Sequence, residues 1–293
     1  MKRDHALLPF LAVATGIATF SLMDAAMKSA SIQAGVYTAL LFRNVIASAL
    51  MLPAWAITGG KRPAKAALKV HLLRSAVVTC MGPLFFWGLV RIPMAEAIAI
   101  SFIAPLIALY FAAVFLGELI RPSAVLASLL GIAGVLAIAA ARFGEGKLDQ
   151  DSALGIASIL TSAVFYALNL VLQRRQAQLA DPIEIAFFQN LFVALIFLAA
   201  APWLAVWPNP AALRDIAFGA GLATVALLFL SWGYARAEAQ VLVPIEYSGF
   251  LWAALFGWLW FGEALNLATV AGAALIVVGC LIATRQPPEQ TAL

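Results

Sequence analysis

Apolar residues along the chain are grouped into ten runs, which are separated by short polar segments or by breaks marked with Pro and Gly. A helix needs roughly 20 mostly apolar residues to cross a hydrocarbon core of about 30 Å. The runs are continuously apolar and lack the alternation of barrel strands, so they predict helices. The predicted spans are residues 6–29, 36–57, 72–90, 95–116, 123–141, 153–172, 183–206, 213–235, 240–261 and 267–283.

Composition agrees with a protein built for lipid. Hydrophobic residues make up 64% of the 293 positions and charged residues 11%, with a mean hydropathy of +0.99. Soluble domains average about 45 to 50% apolar and about 25% charged residues. Because only short segments separate the runs, no soluble domain is expected. The predicted fold class is an all-α integral membrane protein with ten transmembrane helices.

The distribution of basic residues predicts the orientation of the chain. Twelve Lys and Arg residues, Arg74 among them, fall in the even-numbered loops and the two tails; five, including Lys28, fall on the opposite side, and Arg43 lies within a span, which accounts for all 18. The positive-inside rule then places both termini in the cytoplasm of a cell whose inner membrane the chain crosses. The net charge of +4 is dispersed among loops, so no nucleic-acid partner is expected.

The chain contains an internal repeat at an offset of 145 residues. The segment WGLVR, which begins at Trp87, matches WGYAR, which begins at Trp232, and FLGEL matches WFGEA. Residues 1–145 and 146–293 therefore read as two copies of one five-helix unit. Because five is odd, the second copy enters the membrane upside down, which is the inverted-topology repeat of many secondary transporters.

Ten spans in two such halves, each containing a Gly-Glu pair after an apolar run (APLIALYFAAVFLGE and GFLWAALFGWLWFGE), resemble the EamA-type transporters of the drug/metabolite transporter superfamily. The resemblance implies a central cavity lined by both halves and the movement of amino acids, other metabolites, nucleotide-like compounds or drugs, most often outward. The second half departs from the family pattern at one point. The first half has the family's proline, Pro105, but the equivalent position of the second half is Phe250, and its proline, Pro244, lies six residues earlier in the chain. The paired motif residues are Gly117, Glu118, Gly262 and Glu263.

These motif residues and two tryptophans have structural interpretations. Glu118 and Glu263 precede Pro122 and Asn266, which look like a first-turn proline and an N-cap, so both carboxylates are expected to lie near helix N-termini and to be structural. Trp87 and Trp232 are expected either in an interfacial aromatic belt or in the lining of the cavity or its gate. Small residues spaced seven apart predict close helix packing inside the chain, with a homodimer contact as the alternative: Ala127, Gly134, Gly272 and Gly279.

Arg43 is a charge inside an apolar run, where an unpaired charge costs about 2.5 to 3.5 kcal/mol. The first two helices form a hairpin in which Asp24 lies at the depth of Arg43, so the two are predicted to pair. Their counterparts in the second half, Asn169 and Gln189, predict an amide pair in the same geometry. Each pair either clamps two helices or contacts substrate or protons.

Two further acids lie inside predicted spans. Glu246, beside Tyr247 and after Pro244, is predicted to line the cavity and to bind a cation or couple protons. Glu96 lies near the membrane surface, where a solvated position is as plausible as a functional one. The candidate site residues are Glu246, Asp24, Arg43, Asn169, Tyr247, Trp87, Trp232, Tyr166, Gln189 and Glu96.

Acidic, amide and aromatic side chains together suit a zwitterionic or cationic, partly apolar metabolite. The predicted function is therefore a secondary transporter that exports amino-acid-like solutes, with protons as a candidate coupling ion. The alternatives are import or exchange of a nucleoside- or vitamin-like metabolite, and a channel. No ATP-binding, metalloprotease or serine-hydrolase motif occurs, and His5 and His71 fall in terminal or loop positions, so neither an enzyme nor a cofactor or metal is expected.

Overall fold

The computed structural model describes residues 4–60, 62–116, 122–144, 149–234, 236 and 245–284. Within this part of the chain, the regular structure is helical and strands are absent, in agreement with the predicted all-α class. The helices are α1 Asp4–Ala34, α2 Val36–Ile57, α3 Lys65–Leu89, α4 Met94–Ser101, α5 Ala104–Leu116, α6 Pro122–Gly144, α7 Gln150–Ala177, α8 Pro182–Leu204, α9 Pro210–Tyr234, α10 Gly249–Phe261 and α11 Leu267–Thr284.

Six of the described helices are long and apolar enough to cross a membrane, namely α1, α2, α3, α7, α8 and α9. The others include shorter apolar helices, so the chain is a multi-pass membrane protein. The bounds of α2 agree with the predicted span 36–57. Helix α3 begins at Lys65 rather than at residue 72, and this difference matters for the site.

The predicted span 95–116 is not one continuous helix, because it consists of two helices, α4 and α5. Pro105 in the first turn of α5 has no N–H to donate to the preceding turn, so the helix cannot continue through it. Before it, the N–H of Ile103 donates to Ile100 O at 3.2 Å, a bond that spans only three residues instead of the four of an α-helix. The helix is therefore interrupted at residues 102–103.

A second interruption lies at residues 247–248, immediately before α10. Ser248 N donates to Ile245 O at 2.9 Å, again a bond that spans only three residues. The rings of Phe102 and Tyr247, which are 145 residues apart, meet edge to face with their centroids 5.2 Å apart. The two interruptions thus face each other inside the bundle.

The longest helices pack as two antiparallel pairs, α1 with α9 and α3 with α7. A Cβ atom added at Gly88 would lie 2.7 Å from Gly155 O, and one added at Gly233 would lie 2.6 Å from the side chain of Val13. Both glycines follow the repeated tryptophans, so the motif lets two helix pairs approach closely. We call the end of the bundle that contains the start of α3 the Lys65 end and the opposite end, where α1 finishes, the Lys28 end.

Helices α6 and α11 touch backbone to backbone. A Cβ atom added at Gly134 would lie 2.5 Å from Gly272 O, and one added at Gly272 would lie 2.6 Å from Gly134 O. The close packing predicted from the small-residue spacing is therefore confirmed inside the chain. The side chain of Ala127 lies outside the described set.

Candidate functional site

A cluster of polar side chains lies between helices of the two sequence halves. The hydroxyl-bearing ring of Tyr166, on α7, interacts electrostatically with Glu246, Arg74 and Asp24, and Asp24 interacts in the same way with Arg43. We call these five residues the Tyr166 cluster. They come from α1, α2, α3, α7 and the segment before α10, so the structure brings together four of the predicted site residues and adds Arg74.

The members of this cluster keep solvent-accessible surface although they lie within spanning helices. Tyr166 is 37% exposed, and Asp24, Arg43, Arg74 and Glu246 are half-buried. Charged groups at such depth face either a polar space or a partner, because exposure to lipid tails is costly. The cluster therefore has the arrangement of groups that border a polar space between the helices.

The predicted salt bridge between Asp24 and Arg43 is not formed. The ion pairs recorded among the described residues do not include it, and Arg43 Nη1 instead lies 3.8 Å from the sulfur of Met23. The hairpin geometry gave the two residues equal depth, but equal depth does not fix the direction in which each side chain leaves its helix. The two charges still influence each other electrostatically.

The predicted amide pair between Asn169 and Gln189 is also wrong. Asn169 Oδ1 accepts a hydrogen bond from Arg74 Nε at 2.8 Å. The amide nitrogen and oxygen of Gln189 are enclosed and have no hydrogen-bond partner among the described residues. The second half therefore pairs its amide with a cation from the first half rather than with a second amide.

Arg74 belongs to a hydrogen-bonded network near the Lys65 end. Its three nitrogens donate to side-chain amide oxygens of α7: Nε to Asn169, Nη1 to Gln176 and Nη2 to Gln173, the last at 3.2 Å. The network continues through His71, whose Nδ1 contacts Gln176 Nε2 and whose Nε2 lies 3.1 Å from Glu184 Oε1. We call these six residues the Arg74 network.

The assignment of His71 and Arg74 to a loop is therefore wrong. Both lie in α3, and His71 is completely buried. They are three positions apart and share one helix face, whereas Leu72 and Leu73 between them are 48% and 55% exposed. That alternation of polar and apolar residues was the signal in the sequence, but a search for continuous apolar runs ends at the polar positions.

Glu263 forms a second polar centre, at the Lys28 end. Its Oε1 forms an ion pair with Lys28, and its Oε2 accepts from the backbone N–H of Met94, the first residue of α4, at 2.7 Å. Lys28 Nζ also donates to Ile92 O at 3.0 Å. We call Lys28, Ile92, Met94 and Glu263 the Glu263 clamp. Lys28 was predicted to be a loop cation and is only 4% exposed.

The backbone of the Gly-Glu motif explains this position of the carboxylate. Gly262 ends α10 with φ 64°, in the left-handed region that glycine adopts without strain. The turn directs Glu263 back over Gly257, where an added Cβ would lie 2.5 Å from Oε2. The carboxylate lies at a helix N-terminus, as predicted, but at that of α4 from the other half.

The neighbouring helix starts agree with the sequence. Asn266 Oδ1 accepts from the N–H groups of Ala268 and Thr269 at 2.7 and 3.0 Å, so its prediction as an N-cap is confirmed. Helix α6 begins at Pro122. Three residues that the sequence singled out, Gly117, Glu118 and Pro244, lie outside the described part of the chain.

The two repeated tryptophans each carry an arginine on the ring. The guanidinium carbon of Arg91 lies 3.4 Å from the ring centroid of Trp87, and that of Arg236 lies 4.2 Å from the centroid of Trp232. Each arginine also donates to the carbonyl oxygen of its own tryptophan. This repeated stack at a helix end resembles an interfacial anchor.

The remaining predicted acids lie in different places. Glu96, in the first turn of α4, is 6% exposed and lines a hollow of about 10 Å³ with Glu263, so its solvated alternative is wrong. Tyr247 lies at the second helix interruption, next to Glu246. Glu246 is the acid that joins the Tyr166 cluster. Within the described residues, no group of three or more His, Cys, Asp or Glu side chains could hold a metal ion.

Relatives of known name cover most of this chain. The pseudopaline exporter CntI of Pseudomonas aeruginosa strain UCBPP-PA14 is 28% identical over 273 residues, which cover 91% of this chain and 92% of the relative. The probable terminal-alkyne amino-acid exporter of Streptantibioticus cattleyicolor is 26% identical over 261 residues, or 86% and 85% of the two chains. The riboflavin transporter of Brucella anthropi is 24% identical over 278 residues, or 91% and 95%.

A protein of known crystal structure shares the fold, with a TM-score of 0.64 at 23% identity over 97% of this chain and 99% of its own. The sequence profile of the EamA-like transporter family matches twice, at residues 7–140 and 153–285. These two segments correspond to the two halves of the sequence repeat. The chain therefore belongs to the EamA-like transporter family, and it is a transporter rather than an enzyme.

Proposed function

We propose that this transporter exports small amino-acid-like metabolites, which carry an amine and a carboxylate on a partly apolar body, across the inner membrane by alternating access. The observation that supports this function is the Tyr166 cluster, in which two carboxylates and the Arg74 guanidinium interact with one partly exposed aromatic ring and Arg43 interacts with one of the carboxylates. Groups of both signs match a zwitterion, and the ring offers a face to an apolar substituent.

Glu246 is the acid that we assign to the substrate amine or to a coupling proton. It lies directly before the interruption at residues 247–248, and secondary transporters place their sites at interrupted helices between repeats. An amine and a proton can compete for one carboxylate, so protons are the proposed coupling ion. Tyr247 and Tyr166 supply aromatic surface next to this carboxylate.

The proposed architecture is ten spans in two inverted repeats of five, residues 1–145 and 146–293. In this arrangement α4 and α5 form the fourth span, and residues 245–248 with α10 belong to the ninth. Its support is the correspondence between α1 packed on α9 and α3 packed on α7, together with interruptions 145 residues apart. Alternating access then follows from movement of one half against the other around the Tyr166 cluster.

The relatives support the direction and the substrate class only in general terms. Two of them are named as exporters, one of pseudopaline and one of an amino acid, which favours export of amino-acid-like solutes. The riboflavin transporter favours a second candidate, the movement of a vitamin-like aromatic metabolite. Both candidates use the same cluster, and they differ in whether a free amine is required.

Transport and its dependence on Glu246 can be tested in liposomes that contain the purified chain. Liposomes loaded with unlabelled L-phenylalanine should take up labelled L-phenylalanine faster than empty ones, because a carrier exchanges its substrate. Glu246→Gln should lower this flux at least tenfold and remove its dependence on pH. Asp151→Asn, which changes an exposed carboxylate at the Lys28 end, is the matched control and should transport normally.

Normal flux of Glu246→Gln at every pH would remove Glu246 from the mechanism. Uptake that neither saturates nor responds to internal substrate would contradict a carrier and favour a channel. If only riboflavin-like compounds are exchanged, the second candidate replaces the first.

Both termini are proposed to be cytoplasmic, because the basic residues are concentrated on that side of the predicted spans. A reporter enzyme that is active only in the cytoplasm should be active when fused to the C-terminus. Activity of a periplasmic reporter at the same position would contradict this orientation. The chain is proposed to act as a monomer or a homodimer.

A further inference from the structure

Arg74 is a cation that takes part in none of the ion pairs between described residues. We propose that Arg74 binds the carboxylate group of the transported molecule, so that the anionic half of a zwitterion is recognised by this guanidinium. The inference rests on the proposed function, since it names the group that receives one end of the proposed substrate. The sequence placed Arg74 in a loop, and only its position in α3 brings it to the site.

The contacts of Arg74 hold its position and leave donors unused. A guanidinium carries five N–H groups in a fixed plane, and three amide oxygens of α7 each take one, which leaves two. Amide oxygens are neutral, so the positive charge is solvated but not neutralised. The recorded ion pairs of the described residues involve Lys28, His71, Arg91 and Arg214, and Arg74 is not among them.

The remaining charge is accessible from the Tyr166 cluster. Arg74 is half-buried, and it interacts electrostatically with the partly exposed Tyr166. Two parallel N–H groups of one guanidinium match the two oxygens of a carboxylate, which makes arginine well suited to bidentate recognition. A carboxylate that enters beside Tyr166 would therefore neutralise the charge without first having to displace an acid.

A chain of hydrogen bonds fixes the orientation of the anchor. Gln176 Oε1 accepts from Arg74, so the amide nitrogen of Gln176 must be the donor to His71 Nδ1. His71 then carries its proton on Nε2, which donates to Glu184 at 3.1 Å. Because His71 is completely buried, this chain joins the guanidinium to the first turn of α8 through a fixed tautomer.

At each of two equivalent corners of the repeat, one of the two positions is charged, and the two charges differ in sign. The residue 145 positions after Arg74 is Gly219, whose backbone packs against Met27. The residue 145 positions after Asp24 is Asn169, which binds Arg74. One corner of the site is therefore cationic and the equivalent corner is anionic, an asymmetry that fits a substrate with a positive and a negative end.

Arg43 differs from Arg74 in this respect. An acid of the protein, Asp24, already acts on Arg43 electrostatically, although the two form no salt bridge. Among the described residues, the hydrogen-bond acceptors of Arg74 are all neutral oxygens. The carboxylate of a ligand consequently gains more at Arg74 than at Arg43.

The experiment compares two probes that differ in one group, L-phenylalanine and L-phenylalaninamide, in which a neutral amide replaces the carboxylate. Binding to the purified full chain in detergent is measured by isothermal calorimetry and by the shift in melting temperature, because a ligand of the folded state raises it. The wild-type protein should bind L-phenylalanine at least tenfold more tightly. Arg74→Gln should bind both probes equally, and Arg74→Lys, which keeps the charge but not the planar fork, should keep part of the preference.

Arg236→Gln is the matched control, because it removes a guanidinium from the exposed Trp232 stack, and it should keep the full preference. A tenfold preference that survives Arg74→Gln or is lost in Arg236→Gln would overturn the inference. If Arg74→Gln does not elute as a folded protein, Arg74→Lys is the deciding variant. If Arg74→Lys binds L-phenylalanine with the wild-type affinity and the wild-type preference over L-phenylalaninamide, recognition of the carboxylate by the planar guanidinium is overturned.

The outcomes also separate this inference from the proposed function. Binding and exchange of L-phenylalaninamide as good as those of L-phenylalanine in the wild-type protein would overturn carboxylate recognition and leave a carrier of amines in place. Binding of neither probe would overturn the amino-acid-like substrate class and, with it, the role of Arg74.

Discussion

The two ends of the bundle are held by different chemistry. At the Lys28 end, the Glu263 clamp contains the ion pair between Lys28 and Glu263, whose side chains are 5% and 16% exposed. A backbone N–H donates to Glu263, and Lys28 also donates to a backbone carbonyl. At the Lys65 end, the Arg74 network holds one guanidinium with three neutral amides and continues to a histidine. The opposite charges touch in the clamp, whereas Arg74 contacts neutral amides and is connected to the Glu184 carboxylate only through Gln176 and His71.

This difference predicts how each end responds to a ligand. Separation of the Glu263 clamp would break a buried ion pair, and the loss of one partner of such a pair typically costs about 3 to 5 kcal/mol. The hydrogen bonds from Arg74 to the side-chain amides are individually weaker than this ion pair, and a ligand carboxylate can add to them or replace them. We therefore expect the Lys28 end to set the stability of the closed bundle and the Lys65 end to respond to the substrate.

The largest effect is expected from breaking the Glu263 clamp. Glu263→Gln or Lys28→Met should each lower the free energy of unfolding by about 3 kcal/mol, because each removes one partner of a buried ion pair. The double variant should lose less than the sum of the two. The measurement is an SDS titration of the purified protein in mixed micelles. Additive losses would show that the two residues do not act as a pair.

A smaller effect is expected at the other end. Gln176→Leu should lower the free energy of unfolding by about 2 kcal/mol, since it leaves an Arg74 N–H and the Nδ1 of buried His71 without partners. The control Gln173→Leu removes a 3.2 Å bond at an exposed residue and should change stability by less than about 0.5 kcal/mol. A Gln176→Leu loss as large as that of Glu263→Gln would remove the contrast between the ends.

Hydropathy predicted most of the helices because burial in lipid requires long apolar runs. The bounds of α2 agree with the predicted span, and α11 begins at the predicted residue 267. The interruption between α4 and α5 was not predicted, because residues 95–116 are apolar throughout and hydropathy does not report a broken backbone. The start of α3 was placed too late because Lys65, Lys69 and His71 are polar although they are helical.

The site was predicted in part for a related reason. Depth in the membrane can be counted along the chain, which brought Asp24 and Arg43 to one level. The direction of a side chain around its helix depends on how neighbouring helices pack, and this decided that Asn169 contacts Arg74 instead of Gln189. The amide pair was therefore wrong, whereas the placement of Asp24, Tyr166 and Glu246 around one cavity stays a prediction, which their electrostatic interaction supports.

The contact between Gly134 and Gly272 has a mechanical consequence. The two helices touch there through backbone atoms, with the side chains of Ile138 and Ile276 packed against the facing glycines, so a slide along the helix axis would bring side chains into a space that only glycine leaves open. Helices α6 and α11 can therefore turn about this point but cannot shift past each other by a helical turn. Helices α6 and α11 therefore form one rigid pair, and the remaining helices must move relative to this pair whenever the bundle changes shape.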